Sequence, residues 1–120
     1  MGRTGIFVNG AHHPRELTSI TMVFYVMLKF LYEYVHGSGD SLEKDLIEKR
    51  AAVFFIPVVN IDGLRFLESE YRRTGNIPII RKNKNTSYSM GGCPKDDLHE
   101  VGVDLNRNYG YGWGDGGLVS

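Results

Sequence analysis

Two short stretches of this chain place side chains able to hold a cation or an anion close together. The first is His13-Pro14-Arg15-Glu16. An imidazole just ahead of a helix, with a carboxylate three residues on, can aim both groups at one point. That nitrogen–oxygen pair suits a divalent cation, above all zinc. His12, four residues before Glu16, has a second feasible helical spacing. The plainer alternative is that Glu16 complements the positive end of the helix while His13 is an incidental surface residue. The second stretch is Gly102-Val103-Asp104-Leu105-Asn106-Arg107-Asn108-Tyr109. Arg107 offers a planar fork that matches a carboxylate through two parallel hydrogen bonds, and Asn106 stands beside it. Asp104, on the opposite face from Leu105 of a strand, can accept a proton from a metal-binding imidazole and so fix its tautomer. An ordinary salt bridge at a polar strand end is the alternative there.

The elements that must carry these residues follow from the apolar pattern. Ile6-Phe7-Val8 reads as a short buried strand ended by the turn residues Asn9-Gly10. A helix is expected to open near Pro14, a residue favoured at the first helical position. Its core face would hold Ile20, Val23, Phe24, Met27, Leu28 and Leu31, at spacings of three and four. Gly37-Ser38-Gly39 closes it, and Asp40 or Ser41 caps a second, charged helix running to about Arg50. Ala52-Val53-Phe54-Phe55-Ile56 is an unbroken apolar run, as expected of a strand covered on both faces. Strand, helix, helix and strand in that order predict an α/β crossover onto neighbouring or nearby parallel strands. Beyond Asp62-Gly63, residues 64–73 form a short amphipathic helix. Residues 74–102 show no sustained period and contain the basic cluster Arg81-Lys82-Asn83-Lys84. Loops of such length are usually functional or mobile. Val103-Asp104-Leu105-Asn106 reads as a last short strand.

Composition narrows the partners. The chain has 120 residues, with 14 Lys and Arg against 14 Asp and Glu, so bulk charge does not bring it to nucleic acid. The apolar stretch over residues 17–35 is interrupted by Lys29 and Glu33, and fits a buried helix rather than a membrane span. A single cysteine, Cys93, makes neither an internal disulfide nor a CxxC metal knuckle.

His13-Pro14-Arg15-Glu16, Pro57-Val58-Val59-Asn60-Ile61-Asp62-Gly63, Arg81-Lys82-Asn83 and Asp104-Leu105-Asn106-Arg107-Asn108-Tyr109 occur in series. In order and approximate spacing they resemble the zinc metallocarboxypeptidases, the carboxypeptidase A-like peptidases. The resemblance runs from about Ile6 to Trp113. It implies an α/β fold, part of a mixed, largely parallel sheet flanked by helices. It implies one zinc ion per complete domain, with His13 and Glu16 as two of three protein ligands. Carboxypeptidase A is itself the type case of a site with two histidines and one glutamate. Arg15 would help hold the substrate peptide, Asn106 and Arg107 would grip its C-terminal carboxylate, and Asp104 would orient His13. The partners so implied are peptide or protein C-termini, and the complete protein would be a monomer.

Two departures from the family pattern accompany the resemblance. The arginine that helps polarise the carbonyl, three positions after the first Arg of the basic cluster, is here Lys84, which keeps the charge but loses the fork. The family's third zinc ligand and general-base glutamate lie well beyond the Asn-Arg pair. Only thirteen residues follow Arg107 here, none of them His or Glu. The chain is therefore expected to be the interior portion, residues 1–120, of a single peptidase catalytic domain, incomplete at both ends. In secreted relatives a cysteine shortly before the Asn-Arg block often pairs with one just after it. Cys93 is thus either half of such a disulfide in a secreted protein, the favoured compartment, or a free cytosolic thiol. Two competing functions remain at this level. One is an aspartoacylase-type zinc amidohydrolase, which shares HxxE and an Asn-Arg pair, and the other is a non-catalytic binding module complete at this length.

Overall fold

The computed structural model describes residues 3–84 and 101–110. Cys93 and the aromatic-glycine tail beyond residue 110 lie outside the described residues. The chain divides into two compact units, residues 1–10 with 18–59, and residues 11–17 with 60–120.

The first unit is a strand–helix–strand crossover. Strand β1 (Thr4–Asn9) and strand β2 (Ala51–Ile56) pair side by side and parallel, with Thr4 opposite Ala51 and Asn9 opposite Ile56. The connection is helix α1 (Leu17–His36) followed by helix α2 (Leu42–Asp45). Of the two capping candidates it is Ser41 whose hydroxyl accepts the Lys44 N–H, at 3.2 Å. The charged segment does not remain a regular helix to Arg50. It widens over Leu46–Arg50 into a π-helical turn. Arg3 donates to the carbonyls of Ile47 and Glu48 there, at 3.2 and 2.6 Å, and so meets acceptors left over at the helix end. The α/β class and the parallel pairing are as expected from the sequence.

Burial in this unit departs from expectation. On α1 only Val23 is buried, while Phe24, Leu28 and Leu31 are 45%, 60% and 52% exposed. Strand β2 is not covered on both faces: Phe54 is 48% exposed and stacks on Phe7 of the adjacent strand, ring centroids 4.9 Å apart. The sheet has two strands among the described residues, and two strands present too little surface to cover a helix face and both sheet faces.

The second unit contains helix α3 (Ile61–Thr74) and a single 3₁₀ turn at Leu105–Arg107. Helix α3 matches the amphipathic helix expected from residue 64, beginning three residues earlier because Asn60 caps it. Two boundaries need correction. Helix α1 starts at Leu17, not Pro14, because His13-Pro14-Arg15-Glu16 closes a turn of its own in which the Glu16 N–H donates to the His13 carbonyl at 3.1 Å. Proline at the second place of such a turn is as favourable as at a helix start. The expected strand at residues 103–106 is instead a capped turn. Asp104 accepts the Asn106 N–H at 2.9 Å, a local bond that an Asp-x-Asn sequence makes in preference to a ladder.

Candidate metal and carboxylate-binding site

All the groups described here belong to the second unit. The turn at residues 13–16 buries His13 (4% exposed) and leaves Glu16 at its mouth, with the Glu16 side chain 49% exposed. His13 Nδ1 lies 2.8 Å from Glu16 Oε1, and Nε2 lies 3.1 Å from Asp104 Oδ1. Arg81 completes the cluster. Its Nη2 is 3.0 Å from His13 Nε2 and 3.3 Å from Asp104 Oδ2. Asp104 is 5% exposed. Burial pushes its carboxyl upward, but the Asn106 N–H, His13 and Arg81 outweigh that and hold it below the ordinary aspartate value. Asp104 is therefore an anion facing the imidazole.

The proton arrangement follows from what each group can do. A carboxylate only accepts and a guanidinium only donates, so Nε2 serves Asp104 as an N–H or Arg81 as a lone pair. With the proton on Nε2, bonded to Asp104, a neutral ring leaves a lone pair on Nδ1 pointed at Glu16. Two acceptors 2.8 Å apart need a positive centre, either a proton on Nδ1 or a cation shared by both. The donor set, one imidazole nitrogen and one carboxylate oxygen, fits zinc. The carboxylate behind the ring is the partner that metal-bound histidines commonly have. Among the described residues, no group of three or more His, Cys, Asp and Glu side chains is arranged to hold a metal ion.

The same aspartate reaches the second motif. Asp104 Oδ1 accepts the Asn106 N–H and lies against His13 Nε2, and the Arg107 N–H donates to the Asp104 carbonyl at 3.0 Å. Asn106 and Arg107 are thereby presented on a turn whose first residue also holds the imidazole, and both are exposed. Arg15 is exposed on the turn between His13 and Glu16. Lys84 is placed differently: its N–H donates to Asp62 Oδ2 at 2.7 Å and its ammonium lies 4.4 Å from the centre of the Phe66 ring on α3.

Two supporting residues, Asn83 and Gly102, had no role assigned from the sequence. Asn83 pairs with Val103 through N–H to carbonyl at 3.0 Å and through its side-chain oxygen at 2.8 Å, which sets Arg81 beside Asp104. Gly102 lies across this pair with φ 98°, and a side chain there would run into the Asn83 carbonyl. His12 Nε2 is hydrogen-bonded to the Tyr109 hydroxyl, tying the first motif to the end of the second. The basic cluster and the Asn-Arg block pointed to this region, but nothing local announces which distant group each side chain meets.

A family model described as zinc carboxypeptidase matches residues 1–120. The chain belongs to the zinc carboxypeptidase family. Metallocarboxypeptidase A of Trichophyton rubrum is 28% identical over 111 residues, which are 92% of this chain and 22% of that protein. A zinc carboxypeptidase of Saccharothrix mutabilis subsp. capreolus is 30% identical over 103 residues, 85% of this chain and 19% of that protein. Carboxypeptidase B of Astacus astacus is 26% identical over 108 residues, 90% of this chain and 29% of that protein. The chain thus spans about a fifth to under a third of the length of these zinc carboxypeptidase relatives.

Proposed function

We propose that the protein carrying this chain is a zinc-dependent metallocarboxypeptidase that releases C-terminal amino acids from peptides, and that residues 1–120 are an interior portion of its catalytic domain. The observation that carries this is the buried imidazole of His13, set between Glu16 on Nδ1 and Asp104 on Nε2. His13 Nδ1 and Glu16 Oε1 would hold zinc, and Asp104 would keep the proton on Nε2 so that the lone pair stays on Nδ1. Zinc bound there supplies a Lewis acid that polarises a carbonyl and lowers the pKa of bound water.

The chain's other residues select the substrate. Arg107, beside Asn106, would grip a free C-terminal carboxylate through the guanidinium fork, and Arg15 would hold the peptide. Recognition of that carboxylate confines cleavage to the end of a chain. Lys84 would bring a positive charge to the carbonyl oxygen as the oxyanion forms, after its ammonium leaves the Phe66 ring. The domain would act as a monomer outside the cell.

Two measurements on the full protein test this. Zinc affinity should fall sharply in His13→Ala and Glu16→Ala, and unchanged affinity in both would remove the metal assignment. Peptides with a free C-terminus should be cleaved far faster than their amides. Equal rates would remove the roles of Asn106 and Arg107.

A further inference from the structure

The turn that delivers His13 is itself under constraint, and the capping residue of α3 supplies it. Ala11 is the only non-glycine residue with positive φ among the described residues, at 50°, a region that side chains disfavour. It is buried, at 1% exposure, two positions before His13. Opposite stands Asn60, which is fully buried at 0% exposure. Its backbone N–H donates to the Ala11 carbonyl at 3.0 Å, and its side-chain Nδ2 donates to the His12 carbonyl, also at 3.0 Å. Its Oδ1 accepts the Gly63 N–H at 3.0 Å, and its carbonyl accepts the Leu64 N–H at 3.0 Å. A single residue therefore caps α3 and grips two successive carbonyls of the strained turn, that of Ala11 through its backbone N–H and that of His12 through its side chain. Gly63 makes room for it, since a Cβ there would sit 2.5 Å from Asn60 Oδ1.

We propose that Asn60, seated by Gly63, is the positioning residue of the metal half-site: it clamps the left-handed turn at Ala11 so that the His13 imidazole is aimed at Glu16 and Asp104. The inference rests on the metal-site reading above for its effect on zinc, but not for its effect on the imidazole. Without the clamp, Ala11 relaxes toward negative φ, the chain direction at His12 changes, and the ring leaves Asp104. A helix cap alone would leave the imidazole indifferent to this residue.

Asn60→Ser separates the two roles, because the serine hydroxyl still caps the helix but cannot reach the His12 carbonyl. Zinc affinity, measured in the full protein by competition with a chromophoric chelator, should weaken roughly 10- to 100-fold, as for other groups behind metal ligands. The ¹⁵N signals of His13 in the metal-free protein, set by Glu16 at Nδ1 and Asp104 at Nε2, should shift as the ring leaves those partners. Adding Ala11→Gly to Asn60→Ser should recover much of both, since glycine takes positive φ without a clamp. Leu67→Ala, which destabilises the same helix from its buried face, should change neither. Gly63→Ala displaces the amide while favouring helix, and should reproduce the effect even if Asn60→Ser folds poorly. Unchanged His13 signals in Asn60→Ser and Gly63→Ala would overturn the proposal. So would no recovery with Ala11→Gly, or an equal loss in Leu67→Ala. If His13→Ala binds zinc as well as the natural chain, the metal reading falls, and the NMR comparison still decides the role of Asn60.

Discussion

Residues 3–10 with 18–59 are ordered by their backbone: a six-residue parallel register and a twenty-residue helix, with apolar side chains left largely open on helix and sheet. The described residues of the second unit have little regular structure besides α3, yet they bury His13, Asn60 and Asp104 almost completely. Among the described residues no buried side-chain nitrogen or oxygen lacks a hydrogen-bond partner. The difference shows where each unit is vulnerable. An exposed apolar face tolerates exchange, because the water contact it would lose or gain hardly changes on folding. A buried polar network does not, because every group removed strands another in low dielectric.

The largest effect should therefore come from Asp104→Ala. Removing one partner of a buried charged cluster costs about 3–5 kcal/mol, measurable by urea unfolding, and a loss below about 1 kcal/mol would mean the network is not what holds the second unit. The same group sets an acid limit. Against the opposing effect of burial, its folded pKa is held below that of an ordinary aspartate by the Asn106 N–H, His13 and Arg81, so the unfolded chain takes up the proton first. The stabilisation is complete above the unfolded value and is lost as pH falls through the lower folded value. Asp104→Asn should flatten that part of the stability–pH curve.

In the first unit, Val23→Ala should cost roughly 2 kcal/mol, because Val23 is the buried residue of α1. Ser41→Ala should cost about 1 kcal/mol through loss of the Lys44 cap. Leu28→Lys, on the face that periodicity assigns to a core, should change stability by no more than about 0.5 kcal/mol, since Leu28 is 60% exposed. A loss of several kcal/mol there, or a change of sedimentation with the substitution, would show that this face is covered in solution and would erase the contrast between the units.

What could be read from the sequence follows the range of the signal. The strand before Asn9, α1, the strand ending at Ile56 and α3 were visible because side-chain periodicity is a property of neighbours. The same periodicity misplaced the core of α1, since it shows which residues share a face and not what lies against that face. Local competition set the two boundary errors: a proline turn at residues 13–16 and an aspartate-capped turn at residues 104–106 each outbid the regular element expected. Zinc carboxypeptidase membership was readable from four spaced blocks, and the pairing of His13 with Glu16 from a spacing of three.

The sequence by itself determined the chemistry available: an imidazole and a carboxylate at turn spacing, an asparagine–arginine pair, and parallel strands joined by helices. Only the tertiary structure decided which distant groups meet them. It brought Asp104 to His13 across 91 residues, and Arg81 across 68. It set Asn60 against the carbonyls of Ala11 and His12, and seated the Lys84 ammonium on Phe66. Propensity and spacing act over a few residues, whereas a hydrogen bond to a buried group is chosen by the path of the whole chain. That choice sets the His13 imidazole among Glu16, Asp104 and Arg81.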